Sequence, residues 1–187
     1  MIAPLDQGTK DWLQAAAWVA AAAGFLFTAW KFWTELRETR IQKERDLRWR
    51  QAEAGKSLND EMQDNELAWA AMQMLDSDGR DYEISDEVQL SITSADVRVA
   101  LNPERSDQDT RSNYIRDCFD CFFYYMAAFD HHISNTLIRA EDVAYPMEYY
   151  VPLMNKVRDE IELYLDHYKL WRTRKFLERY KSWTRTR

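Results

Sequence analysis

The chain has 187 residues, 46% apolar and 30% charged, which is too apolar for a disordered segment and long enough to bury one core of ordinary size. Four glycines and four prolines, against about 13 and about 9 at average usage, argue against a sandwich, a barrel or any fold of many short strands. A formal net charge of −7 makes nucleic acid an unexpected partner, and a mean hydropathy of −0.63, taken alone, describes a soluble protein.

That average hides an apolar block. Trp12 to Trp30 reads WLQAAAWVAAAAGFLFTAW, nineteen residues without a charge, eight of them alanine. As a helix it covers about 28 Å, close to the thickness of a bilayer's hydrocarbon. Trp12 stands at one end and Trp30, Lys31 and Trp33 at the other, a pattern that suits the two membrane interfaces. Thr9 is a candidate cap, with Asp11 in the first turn. A buried core helix and a cleavable signal peptide are the competing readings. The first is disfavoured by an apolar surface on every side, the second by an apolar stretch that is too long and a leader with one Lys against two Asp. One basic residue, Lys10, precedes the block; seven follow it, Lys31, Arg37, Arg40, Lys43, Arg45, Arg48 and Arg50. This bias predicts the N-terminus outside and the rest of the chain in the cytoplasm. Ala16, Ala20, Gly24 and Thr28 recur every four residues, which puts small side chains on one face where a second helix can approach.

The expected organisation is a short outer tail (1–11), a transmembrane helix (12–33), a charged stalk (34–54) and a cytosolic helical domain (55–187). The stalk is rich in helix formers, with Glu44–Arg48 and Asp46–Arg50 in the favourable i,i+4 order. Gly55 is expected to end it. A helix follows over Ser57–Leu75, with Leu58, Met62, Trp69, Met72 and Leu75 on one side, and Asp76–Gly79 stops it. Between Tyr82 and Leu101 the pattern is ambiguous. Val88, Leu90 and Ile92 alternate as in a strand, while Thr93-Ser94-Ala95-Asp96 can cap a short helix; the helix with an extended piece before it is preferred. After a polar loop around Pro103, Ile115, Phe119, Phe122, Phe123, Met126, Phe129 and Ile133 mark Thr110–Asn135 as the central core helix. Pro146 and Pro152 break the chain. A last helix is expected from near Asn155, with Met154, Val157, Ile161, Tyr164, Leu165 and Tyr168 on its buried face, and it could run on through Trp171 and Leu177. The fold class is thus all-α: an N-terminal transmembrane helix continuing into a stalk, then a bundle of about four longer helices.

Charge divides unevenly. Residues 55–167 carry nine basic and twenty-four acidic groups, and residues 168–187 carry eight basic and one acidic. The basic tail, with Lys169, Arg172, Arg174, Lys175, Arg179 and Lys181, is expected first to pair with acidic surface of its own or a neighbouring chain. It could instead lie on an anionic membrane, or stack RNA on Trp171, Tyr180 and Trp183.

Cys118-Phe119-Asp120-Cys121 is a C-x-x-C, and His131, His132 and His167 suggest zinc. His132 lies eleven residues past Cys121, about 16 Å along a helix, whereas zinc ligands sit about 2.3 Å or less from the ion. Ordinary buried thiols are the preferred reading. No phosphate loop, dinucleotide fingerprint, nucleophile elbow or H-E-x-x-H is present. No catalytic residue, metal site or cofactor is therefore assigned, and a non-enzymatic role is expected.

Arg116-Asp117, followed after four intervening residues (Cys118 to Cys121) by a position where histidine would complete the pattern, resembles the motif of the helical RNase domains called HEPN. Phe122 stands at that position, so the acid/base chemistry of those domains is not expected. The layout of span, charged stalk and small helical domain resembles an uncharacterised family of small single-pass bacterial membrane proteins. More distantly it is similar to the HEPN-like, pore-assembling membrane accessory protein of Cas13b-type CRISPR systems. No functional residue is carried over. The resemblance implies a bacterial source; the span, its basic flank, the small-residue face and the uneven charge lead to the expectation of an inner (plasma) membrane location, lipid as partner, a homo-oligomer, and a protein partner on the cytosolic domain. The leading expectation is a membrane-anchored domain that self-associates or docks a partner; the other is an oligomeric effector that disrupts or permeabilises the membrane in bacterial defence.

Overall fold

The computed structural model describes residues 7–85, 88–105 and 109–184. Helices make up 83% of the protein and strands 6%. Helix α1 runs over Gln7–Asp64 and α2 over Glu66–Asp76; strands β1 (Arg80–Ser85) and β2 (Val88–Ile92) follow, then α3 (Ser94–Leu101) and α4 (Thr110–Ser134). The remaining helices are α5 (Ala144–Leu153), α6 (Arg158–His167) and α7 (Trp171–Thr184), with 3-10 turns at Ala140–Val143 and Met154–Val157. Two compact units result, divided between Trp49 and Arg50.

In the first unit, α1 is a helix whose described side chains are almost all exposed. The caps expected at Thr9 and Asp11 fall on side chains outside those described. The second unit is built around α4, which packs against α2, α3 and α7. The three- and four-residue spacing of its apolar residues explains why. Ile115, Phe119, Phe122, Phe123, Met126 and Phe129 lie on one side of the helix and are all buried. Phe119 and Phe123 meet at 5.8 Å between ring centres, Phe123 and Tyr164 of α6 at 6.0 Å, and Phe129 and Phe176 of α7 at 5.6 Å. Such tilted aromatic pairs add to the burial of each ring. Asp109 caps α4 by accepting from the Ser112 amide at 2.6 Å.

The ambiguous stretch resolves into both of its patterns. Val88, Leu90 and Ile92 belong to β2, paired antiparallel with β1, so a small hairpin interrupts the all-α layout. Thr93 then caps α3: its hydroxyl accepts from the Asp96 amide, and Asp96 accepts from the Thr93 amide at 2.8 Å. This reciprocal arrangement is a capping box.

Several boundaries differ from the sequence reading. Gly55 does not end a helix; α1 passes through it to Asp64, because Gly55 serves a close approach. A Cβ there would lie 2.6 Å from Cβ of Asp142. The break comes at Asn65, whose side chain accepts from the Ala68 amide at 3.0 Å and starts α2. Trp69, expected in the core, is 42% exposed. The helix expected from Asn155 through Leu177 is two helices. Lys169 takes a left-handed φ of 55°, and the Leu170 amide reaches back to the Leu165 carbonyl at 2.9 Å, which closes α6 in a Schellman motif. Tyr168 is consequently 45% exposed rather than buried. Thr136, φ 57°, closes α4 in the same way, with the Leu137 amide on the His132 carbonyl at 2.9 Å. Pro146 opens α5, and the extended Tyr145 before it (ψ 125°) is the conformation a proline imposes on its predecessor. Pro152 sits inside α5 rather than ending it.

Candidate membrane and docking surfaces

The apolar block forms the first part of α1. Its best eighteen-residue window has a mean hydropathy of 1.4, and none of it is buried. Among the described residues this is the one helix long and apolar enough to cross a membrane. Trp12, Trp30 and Trp33 are 79%, 62% and 63% exposed, and Lys31 lies 3.9 Å from Glu35 one turn on. Ala16, Ala20, Gly24 and Thr28 are all exposed. Apart from the helix's own backbone and the neighbouring residues, no atom lies within 4 Å of where a Cβ on Gly24 would stand, and the Thr28 hydroxyl is satisfied by the Gly24 carbonyl at 2.8 Å. Satisfying its own hydroxyl inside the helix lets Thr28 behave as a small, nearly apolar residue.

The second unit holds the last turns of α1 by groups spaced four residues apart. Gln51 Nε2 donates to the Thr136 carbonyl at 2.8 Å, Gly55 gives room to Asp142, and Asn59 Nδ2 donates to the Asp142 carbonyl at 3.1 Å. Met62, fully buried, completes the row. The carbonyls of 136 and 142 belong to the connection after α4. Two buried amides on α1 donate to them. Sequence reasoning missed this seat, although Gln51, Gly55 and Asn59 at i, i+4, i+8 were its visible signal.

The basic tail splits by role. Arg174 Nη1 pairs with Asp166 at 2.5 Å, and its guanidinium stands 5.9 Å from the centre of the Trp171 ring. Arg179 reaches Asp130 at 3.4 Å and donates to Ser134 Oγ at 3.2 Å. Asp130 is 1% exposed, so its carboxylate is screened from water while the Arg179 side chain keeps partial contact with it. The Thr173 hydroxyl, also buried, donates to the Phe123 carbonyl at 2.9 Å. Together with Phe176 and Tyr180 these contacts tie α7 to α4, consistent with a tail that meets acidic surface of its own chain. Arg172 turns towards His131, 3.2 Å from Nδ1. Lys169, Arg172 and Lys175 are exposed, and Lys181 lines a cleft. That cleft, of about 480 Å³, lies between α6 and α7. Ile161, Leu165 and Leu177 form part of its floor, and Arg158, Glu162 and Glu178 part of its rim.

On α4, Cys118 is fully buried, and burial pushes its thiol up to about 12. Cys121 donates to Asn65 Oδ1 at 3.1 Å, and burial raises its pKa too. The C-x-x-C is thus a protonated pair facing the core and the α2 cap. No three His, Cys, Asp or Glu side chains converge on a metal position among the described residues. Phe122 is fully buried in the aromatic core, so the position where a HEPN motif has histidine opens to no substrate. Asp120 accepts from the Tyr164 hydroxyl at 2.8 Å, and burial raises its pKa.

No protein-family model matches this chain, and no curated protein or solved structure matches it either.

Proposed function

We propose that this is a non-enzymatic, single-pass inner-membrane protein of bacteria whose helical domain, held in the cytoplasm, self-associates or docks a partner at the membrane. One observation carries the reading: an apolar helix of bilayer length, bounded by Trp12 and by Trp30 and Trp33, with none of its apolar window covered by the protein. Leaving that surface in water opposes folding and solubility; hydrocarbon removes the penalty. The Lys/Arg excess after Trp30 supports an outer N-terminus. The open face of Ala16, Ala20, Gly24 and Thr28 supports close contact between two such helices. The expected result is that the protein stays in the membrane fraction after alkaline carbonate extraction, and that external protease removes an N-terminal tag but spares a C-terminal one. Release by carbonate, or a protected N-terminal tag beside a digested C-terminal one, overturns it.

That same open face favours a second reading, an oligomeric effector that permeabilises the membrane. Mass photometry of the detergent-solubilised protein separates the two. A monomer or dimer supports the anchored docking domain; a ring of about six or more chains, with toxicity on overexpression, supports the effector.

A further inference from the structure

We propose that the outer face of α7, together with the turn before it, is a second membrane-contact surface that binds anionic lipid headgroups. Helix α7 buries Thr173, Phe176 and Tyr180 against the core, so the positions pointing the opposite way are fixed by helical periodicity. Trp171 and Lys175, one turn apart, stand at the centre of that outer face with exposed Glu178 two turns past Trp171, and Arg172 flanks it about 100° round the helix. Trp171 is 58% exposed and Tyr168, just before the helix, 45%. A large indole in the middle of a charged face is out of place in water. It is the residue of choice at a bilayer interface, where its ring lies among headgroups and its N–H stays hydrated.

Charge settles the kind of lipid. Lys169, Arg172 and Lys175 lie within four residues of Trp171 and are all exposed, and the guanidinium of Arg174 stands 5.9 Å from the indole ring. Among the described residues Lys169 and Lys175 enter no ion pair, whereas Arg174 and Arg179 are held by Asp166 and Asp130. Arg172 is shared between the two sets, exposed but 3.2 Å from His131 Nδ1, so Lys169 and Lys175 are the cations that this face presents outside any ion pair. Most other charge on residues 55–167 is acidic, so this is the face that an anionic surface attracts and the remainder is repelled. The proposal rests on the reading that α1 anchors the chain in a bilayer. Anchoring turns attachment of the patch into an intramolecular event, for which weak local affinity suffices.

The test uses the full chain reconstituted in vesicles of phosphatidylcholine with or without about 30% phosphatidylglycerol, each doped with a photoreactive lipid analogue; crosslinked residues are mapped by mass spectrometry. In anionic vesicles, adducts are expected within residues 168–176 as well as 12–33; in pure phosphatidylcholine only the latter remain. Each cation near an anionic surface strengthens attachment roughly fivefold, so the triple variant Lys169→Gln, Arg172→Gln, Lys175→Gln is expected to lower the 168–176 adducts by more than about tenfold. Arg172→Lys with Lys175→Arg retains them. Adducts confined to 12–33 in anionic vesicles, or a yield at 168–176 that ignores the triple variant, overturn the proposal while leaving the anchor standing. Absence of adducts at 12–33 overturns the anchor instead. A salt-sensitive oligomer in lipid-free detergent that is lost in the triple variant assigns the face to another copy of the chain, and also overturns it.

Discussion

Gly55 and Thr136 show how single positions set the geometry of the helical unit. At Gly55 the missing Cβ admits Asp142, whose side chain would otherwise be met at 2.6 Å. Gly55→Leu is expected to push Asp142 away from α1, and so to break the Asn59 bond to the Asp142 carbonyl. A loss of about 3 kcal/mol follows from overpacking plus one orphaned carbonyl, read as a lower midpoint in urea denaturation. Thr136 carries the opposite imbalance. A β-branched residue is strained at φ 57°, and its structural duty, the carbonyl offered to Gln51, does not depend on its side chain. Thr136→Gly is therefore expected to raise stability by about 1 kcal/mol, and a lowered urea midpoint would contradict that. Left-handed positions filled by Thr and Lys also show why the α6–α7 junction was not legible in the sequence. The backbone turns there as it would at a glycine, but Lys169 gives no such signal in the sequence.

Among the elements, those with strong local chemistry were legible and those made by long-range contacts were not. The apolar rows of α4 and the Thr93–Asp96 box are written in spacings of three and four, and both appear where the spacing puts them. The hairpin was half visible: β2 alternates over three apolar residues, whereas β1, Arg80–Ser85, offers only Tyr82 and Ile84 in alternation, and its pairing with β2 is a contact that the sequence does not display. Of the candidate surfaces, the Trp-bounded helix and the basic tail were visible as composition. The division of that tail into Arg174 and Arg179, held in ion pairs of the domain, and Lys169 and Lys175, exposed and outside such pairs among the described residues, needed Asp130 and Asp166 in place. The starts of α3 and α4 carry a pH dependence. Asp78 accepts from the Ser94 amide and hydroxyl, Asp109 from the Ser112 amide, and these bonds hold both carboxyls below the usual range. A lowered folded-state value means stability that is fully present above the unfolded value and is lost as pH falls through the folded one. Thermal unfolding should therefore show a midpoint that is level near neutrality and falls below about pH 4. In Asp78→Asn with Asp109→Asn the acid-side fall should be shallower, and an unchanged acid slope would refute the assignment.

At the scale of the whole molecule, the chain divides into a helix that has no core and a unit that has one, so damage to either should leave the other with its own behaviour. Unit two, from Arg50 onward, closes its core with α7: Phe176 is 2% and Tyr180 8% exposed, and buried Thr173 bonds the Phe123 carbonyl. Removing one such aromatic costs about 3 to 5 kcal/mol, and removing all of them together matches the entire stability of an ordinary domain, about 5 to 15 kcal/mol. Deleting Trp171–Arg187 is therefore expected to abolish cooperative unfolding and to make the domain sensitive to limited trypsin digestion. Retention in the membrane fraction should be unchanged, since the Trp12–Trp33 segment shares no residue with that core. Deleting Trp12–Trp33 should do the reverse, yielding a soluble chain that still unfolds in one transition by circular dichroism. The first variant tests whether the basic helix is structural before it is anything else; a deletion that kept a sharp transition would show α7 to be an appendage. The second tests the independence of the domain. If it lost cooperative unfolding, the seat formed by Gln51, Gly55 and Asn59 would need the apolar helix to hold it, and the anchor and the domain would have to be treated as one folding unit.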